Sequence, residues 1–309
     1  MIRTALVAAT LLFPAAATAQ QDFSNVEITS EELAPGIFVL YGAGGNMALE
    51  IGSEATFLVD DQYAPLTPKI VAKIAELGGD DVDFLVNTHW HGDHTGGNDN
   101  FGGKGAMIVA HDNVRSRLAE GLKSREIEPL DGAALPVLTF SDRQSFHIND
   151  GTVRAIHVHN AHTDGDSLVH FVDQDVLHMG DTMFAETAGT FPYIDLDSGG
   201  SIQGAVNAAD MGLKIAGENT KIIPGHGKVT DRAALAAYRD MLFEVMQAVE
   251  AGMRAGQSKE AIVAAKPAAA WAAQRSGGFI SEDRFIETVY DSLAKPTAHA
   301  HTDGTRHAE

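Results

Sequence analysis

Between Thr88 and Gly97 the chain reads THWHGDHTGG, which places His89, His91, Asp93 and His94 within six residues. Imidazole nitrogens and a carboxylate at that density are metal-ligand chemistry, since neutral histidine and ionised aspartate each offer a lone pair to a divalent cation. On a helix, side chains two positions apart face away from one another, so His89 and His91 could share an ion only where the backbone turns tightly. Gly92 is expected to relax the backbone there. No helix cap or solvated turn needs three histidines, and the segment is read as a cation site rather than a polar loop. Among its 309 residues the chain has no cysteine. Thiolate nucleophiles, Cys-type zinc sites and iron–sulfur clusters are thereby excluded, and a catalytic metal must rest on histidine and carboxylate.

The elements that would position this turn follow from the apolar pattern. GIFVLYG, NMALEIG and ATFLVDD, all within residues 36–60, are strand-like runs separated by Gly-rich or Ser/Glu breaks. Leu66, Ile70, Ile74 and Leu77 have helical spacing from Pro65 onward, and Gly78-Gly79 ends that helix. DFLVNTH (83–89) is a strand that runs straight into the histidine turn, and AMIVAH (106–111) is a strand followed by a charged helical stretch to about Arg125. TVRAIHVH, SLVHFV and DVLHMGD make a run of strands across 137–180. From Ser201 the pattern turns helical, then gives a short strand KIIPGHG (221–227) and a long helix from Thr230 to Ala255. Strands, helix, strands, helices in that order suit two mixed sheets packed together with helices outside.

The His-rich turn closely resembles the metal-binding signature of the metallo-β-lactamase-fold hydrolases. The resemblance continues in order across about residues 36–230: Asp60 at a strand end, the turn itself, His162 in AHTDGDS, Asp181 in HMGDTMF and His226 in IPGHG. It implies an α+β fold, a four-layer αβ/βα sandwich. It also implies that His89, His91 and His162 hold one zinc, that Asp93, His94 and His226 hold the other, and that Asp181 bridges them. Two Zn2+ are expected, with Fe or Mn as other divalent candidates. Three protein ligands leave a catalytic zinc an open position, and a cation pair ~3.5–4 Å apart lowers the pKa of a shared water from ~15.7 to ~7. Asp93 is the catalytic candidate, because it can also accept a hydrogen bond from that hydroxide and orient it. Asp60 is a candidate to orient a ligand histidine. His111, His147, His157, His159, His170 and His178 carry no motif and are read as structural or solvated, although His159 lies three residues from His162. Tail histidines His299, His301 and His307 could hold only stray metal.

The implied function is a secreted dinuclear zinc hydrolase that cleaves an amide or ester carbonyl by metal-bound hydroxide. β-Lactam ring hydrolysis leads among substrates, with lactone or other ester and thioester hydrolysis as alternatives and a non-catalytic periplasmic metal-binding protein as a reading of a different class. One departure bears on this choice. β-Lactamases of the family typically place cysteine or serine where this chain has Asp181, and a bridging aspartate is similar to glyoxalase II and lactonase branches. Phe184, Phe191 and Tyr193 could wall a substrate or serve the core, and Lys228 could face a substrate carboxylate or water.

Lysine and arginine number 22 against 42 acids, a formal charge of −20. Such a field disfavours nucleic acid or an anionic membrane as partner and leaves a small-molecule substrate. Residues 1–19 read as a signal peptide, with Arg3, an apolar run over Thr4–Ala16 and Ala17-Thr18-Ala19 as cleavage site. Residues 20–295 are expected to form the hydrolase domain and 296–309 a flexible polar tail, the mature protein being periplasmic or secreted and free of the membrane. Intact-mass measurement of exported material is expected to show a chain beginning at Gln20, and a membrane-bound species retaining Met1 would refute the leader.

Overall fold

The computed structural model describes residues 22–125 and 127–295; the expected leader (1–19) and tail (296–309), including His299, His301 and His307, lie outside the described residues. Seven strands form the first sheet in sequential order: β1 (Thr29–Ala34), β2 (Ile37–Tyr41), β3 (Met47–Ile51), β4 (Thr56–Val59), β5 (Phe84–Val86), β6 (Met107–His111) and β7 (Leu138–Phe140). β1 to β4 pair antiparallel, and β4 to β7 pair parallel through intervening helices. The second sheet has β8 (Arg143–Ile148), β9 (Gly151–His157), β10 (Ser167–Phe171), β11 (Val176–His178) and β12 (Lys221–Ile223) in reverse order, with only β11 and β12 parallel. The expected pair of mixed sheets is therefore present.

Nine α-helices complete the described residues: α1 (Thr67–Glu76), α2 (Gly92–Thr95), α3 (Asn98–Gly102), α4 (Asp112–Glu120), α5 (Ile202–Ile215), α6 (Arg232–Arg254), α7 (Lys259–Ala264), α8 (Ala269–Arg275) and α9 (Glu282–Ala294). Side-chain caps set several boundaries. Asp231 accepts from the Ala234 amide and starts α6 two residues later than the pattern suggests, while Thr230 bridges back to Ile222. The charged helix α4 stops at Glu120 rather than Arg125, because Gly121 turns the chain at φ +65°. The sequence reading assigned no strand to 29–34, whose residues TSEELA carry no apolar alternation; they form an edge strand held by backbone pairing to β2.

Each sheet is covered on both faces, so alternate residues are apolar toward different layers and the strands read as continuous hydrophobic runs. In β4, Phe57 and Val59 enter the layer between the sheets, whereas Leu58 joins Ile70, Ile74 and Phe101 on the helical side. Val169 and Phe171 of β10 meet them from the second sheet, and Leu168 turns outward to the core built with α5, α6 and α9. These cores define four layers, helix, sheet, sheet, helix. Phe57 is the intersheet keystone, edge-on to Phe146 at 5.0 Å and Phe171 at 6.1 Å between ring centroids.

At one end the two sheets are stitched by polar contacts. The Asn46 amide donates to the Gly225 carbonyl at 2.7 Å, and its side chain donates to the carbonyls of Pro224 (2.8 Å) and Gly227 (2.7 Å). The Ser167 amide donates to the Thr88 carbonyl at 2.8 Å. No helix among the described residues is long and apolar enough to cross a membrane. Phe57→Ala, which empties a fully buried ring from the layer that joins the sheets, is expected to lower unfolding free energy in urea by about 3–5 kcal/mol.

Candidate metal centre

All the candidate ligands gather at the stitched end, beyond the last residues of β4, β5, β11 and β12 and in the turn between β9 and β10. His89 lies in a bend after β5, and the extended residue His91 caps α2, so Asp93 and His94 occupy its first turn. This meets the requirement for a turn, but not through Gly92, whose φ is ordinary and where an added Cβ would meet nothing within 4 Å. The glycines that matter are elsewhere. A Cβ at Gly45 would lie 2.0 Å from His94 Cε1, and one at Gly225 would lie 2.1 Å from Asp181 Oδ1, so only glycine lets the backbone close around these two ligands.

Two groups of ligand atoms result, His89, His91, His162 and Asp181 in one and Asp93, His94 and His226 in the other, each within 4.8 Å. The seven residues are those the resemblance assigns to a metal pair, with Asp181 falling by distance in the first group. The rings of His89, His91 and His162 stand edge-on to one another with centroids 4.7–4.9 Å apart. Asp181 reaches across both groups: Oδ1 is 3.0 Å from His94 Nε2, and Oδ2 is 3.4 Å from His226 Nε2, 3.6 Å from His162 Nε2 and 3.9 Å from His89 Nε2. Asp93 Oδ2 lies 3.4 Å from His226 Nε2 and 3.7 Å from His94 Nε2.

Outer hydrogen bonds fix which ring nitrogen faces inward. Buried Asp60 accepts from His94 Nδ1 (2.7 Å), from the Thr88 hydroxyl (2.7 Å) and from the Thr88 amide (2.7 Å). With its proton given to Asp60, the Thr88 hydroxyl accepts from His89 Nδ1 at 3.1 Å. His162 Nδ1 donates to the Tyr193 carbonyl at 2.7 Å, and His91 Nε2 donates to Asp195 at 2.9 Å. The rings of His89, His91 and His162 therefore turn a bare nitrogen to the centre, and His94 turns Nε2 there, toward Asp181. His162 Nε2 and His91 Nδ1 stand 2.9 Å apart, and buried His89 Nε2, His94 Nε2 and Asp181 Oδ1 have no hydrogen-bond partner. Ligand atoms gathered this closely, several of them buried without a hydrogen-bond partner, make an environment that bound cations would satisfy. The donors present thus fit a pair of divalent metals with nitrogen and oxygen ligands.

The charges agree. Burial holds the His89 imidazole well below its usual pKa and that of His162 at about 4, so both are neutral as ligands must be. Burial also opposes charge on His94 and His226, but Asp181 and its neighbouring carboxylates outweigh it and raise both, His226 to about 9. Asp93 and Asp181 are desolvated, yet the histidines beside them keep both ionised, Asp93 at about 2. The side chains of His226 (26%), Asp93 (24%) and His91 (14%) are partly exposed, whereas those of the other four ligands are at most 5% exposed. The open side of the centre is therefore the side of Asp93.

Asp60 has the orienting role expected of it. Asp195, which holds His91, was not identified from the sequence; it is fully buried and also accepts from the Ser198 hydroxyl at 2.6 Å and from the Arg125 guanidinium. Nothing in the sequence IDLDS beyond an acid following Tyr193 hints at it. Of the aromatic candidates, Tyr193 lies over His91 at 5.9 Å and leads outward to Phe279, which is 71% exposed. Phe184 stacks behind His226, and Phe191 is core, packed on Phe285. Lys228 sits over the Tyr41 ring. His111, His157 and His159 stack among themselves away from the ligands, and buried His178 donates to the Asn46 carbonyl and accepts from the Gly180 amide.

The family described as the Metallo-beta-lactamase superfamily matches residues 45–239. The Lactamase-like protein aptB of Emericella nidulans is 28% identical over 207 residues, 63% of this chain and 57% of that protein. An atrochrysone carboxyl ACP thioesterase of Aspergillus chevalieri is 26% identical over 234 residues, 74% of this chain and 65% of that protein. The match thus spans less than two thirds of either relative. The crystal structure of DIM-1 metallo-beta-lactamase shares the fold with a TM-score of 0.58 at 21% identity, covering 71% of this chain and 99% of that one. Metal analysis is expected to find two divalent equivalents per chain. Asp60→Ala, which releases His94 and Thr88 together, is expected to weaken metal retention in chelator competition by about 10–100-fold.

Proposed function

Because the chain belongs to the metallo-beta-lactamase superfamily, we propose that it is a metal-dependent hydrolase of a small acyl compound, using two zinc ions to cleave an ester or thioester carbonyl. Bound at the two ligand groups, the cations would supply Lewis acidity and a water of lowered pKa. The chain's own part is positional. Asp93, at the open rim and ionised, holds and orients the attacking water by accepting its hydrogen bond; Asp60 and Asp195 keep His94 and His91 aimed; Tyr193 and exposed Phe279 offer an apolar flank to the substrate body. Water can enter from the Asp93 side without any covalent intermediate on the protein.

The observation that carries the acyl-ester reading is the Asp181 carboxylate between both ligand groups, where family β-lactamases typically have cysteine or serine. Relatives named as thioesterase and hydroxyacylglutathione hydrolase support it. β-Lactam hydrolysis, the leading expectation from the sequence, is the second reading, favoured by the leader-like segment ending Ala17-Thr18-Ala19 and so by export to the compartment where such compounds are met.

A panel of chromogenic thioester, ester, lactone and β-lactam substrates separates these readings, with turnover expected on the first three and abolished by chelation. Asp93→Asn keeps the shape while removing the proton acceptor, and its kcat is expected to fall by at least ~10²-fold with a smaller change in KM. Near-normal kcat in that variant, or a covalent acyl-enzyme trapped in mass spectrometry, would refute the water-attack mechanism.

A further inference from the structure

A second cavity, of about 370 Å³, lies between α6, α8 and the segments 183–187 and 228–230, and none of the metal-centre ligands lines it. Its apolar walls include Met183, Tyr238, Met241 and Trp271. Its most unusual component is Arg275, at the end of α8, which is only 3% exposed. A guanidinium so deeply placed is normally paired with a carboxylate, but Arg275 forms no ion pair among the described residues. Only Nη1 makes hydrogen bonds, donating to the carbonyls of Phe184 (2.9 Å) and Thr190 (3.4 Å); Nε is buried without a hydrogen-bond partner, and the guanidinium lies over the Tyr238 ring at 5.5 Å. Burial accordingly lowers the Arg275 pKa below the usual guanidinium value.

The unengaged Nε–Nη2 edge is the side of a guanidinium that grips a carboxylate through two parallel hydrogen bonds. Lys228 adds a second cation to the lining, against the single acid Glu186. In a chain of formal charge −20 this is a locally cationic recess. Its volume is in the range of small-molecule sites, and an apolar wall interrupted by a few charged and hydroxyl groups is a composition such sites share. We propose that this cavity binds a small organic carboxylate with an apolar body, separately from the metal centre. The carboxylate replaces the missing counter-ion of Arg275, and the body lies along Trp271, Tyr238 and Met241. Arg275 holds the Phe184 carbonyl and the Phe184 ring stacks on His226 at 5.2 Å, so the anchor of the cavity is linked to one metal ligand through Phe184.

Octanoate and octanamide, equal in size and different in charge, test the site on the full chain. Trp271, one of two tryptophans, reports by fluorescence, with Trp271→Phe as the reference, and calorimetry gives the affinity. Octanoate is expected to bind saturably and at least roughly tenfold more tightly than octanamide, as loss of a charged hydrogen-bonded pair implies. That affinity is expected to be equal in zinc-loaded and chelator-treated protein. Arg275→Gln should weaken it about tenfold or more; should that variant misfold, Ala234→Leu, which narrows the cavity and leaves the Arg275 contacts intact, should do the same. Equal affinity for the two probes, loss of octanoate binding on chelation, or undiminished binding in Ala234→Leu would overturn the proposal.

Discussion

The centre is organised around one buried carboxylate. Asp60 is fully inaccessible to solvent and accepts three hydrogen bonds of 2.7 Å from Thr88 and His94. Through them it controls the tautomers of two histidines, His94 directly and His89 by way of the Thr88 hydroxyl. Its backbone is left-handed, φ +59°, an unfavourable conformation for a residue with a Cβ that persists only where the surroundings impose it. The Asp60 amide donates to the Val86 carbonyl and that of Asp61 to the His94 carbonyl, which locks the departing chain against β5 and the histidine turn. Strain in the backbone and burial of the polar side chain are thus both offset by contacts that also aim the ligands.

The same reasoning explains why carboxylates can be packed so closely here. Asp93 and Asp181 sit with His94 and His226 between them, and in the absence of cations the histidines take up protons to balance the charge. A divalent pair would substitute for those protons, so metal uptake and proton release at this centre are linked. The overall excess of acidic residues says nothing about the sign of the potential inside the site, where the bound ions would be the largest charges.

The histidine turn was legible because its ligands are neighbours in sequence, and Asp60 because it ends an apolar run. His162, Asp181 and His226 are separate in sequence and became legible through the order of their motifs. Asp195 and Arg125 did not, since their role depends on a loop after β10 and β11 folding back onto His91, a contact 104 residues apart for Asp195. The glycines that matter, Gly45 and Gly225, are needed for the absence of a Cβ beside His94 and Asp181, and such close approach between distant segments cannot be read from composition. β1 carries no apolar alternation to reveal it: backbone pairing to β2 holds it, with only Leu33 and Ala34 at its end reaching the core.

The stitched end of the two sheets has a consequence for the order of events in the life of the chain. His89, His91, Asp93 and His94 are carried by the first sheet, and His162, Asp181 and His226 by the second, so neither half owns a complete site. Asn46 and the 224–227 segment, which bring the halves together, are about 180 residues apart along the chain. Contacts of such separation close late in folding, after loop entropy has been overcome. An emerging polypeptide therefore carries at most the sequence-local part of the cluster, and the full set of seven ligands is assembled only when the two halves have met.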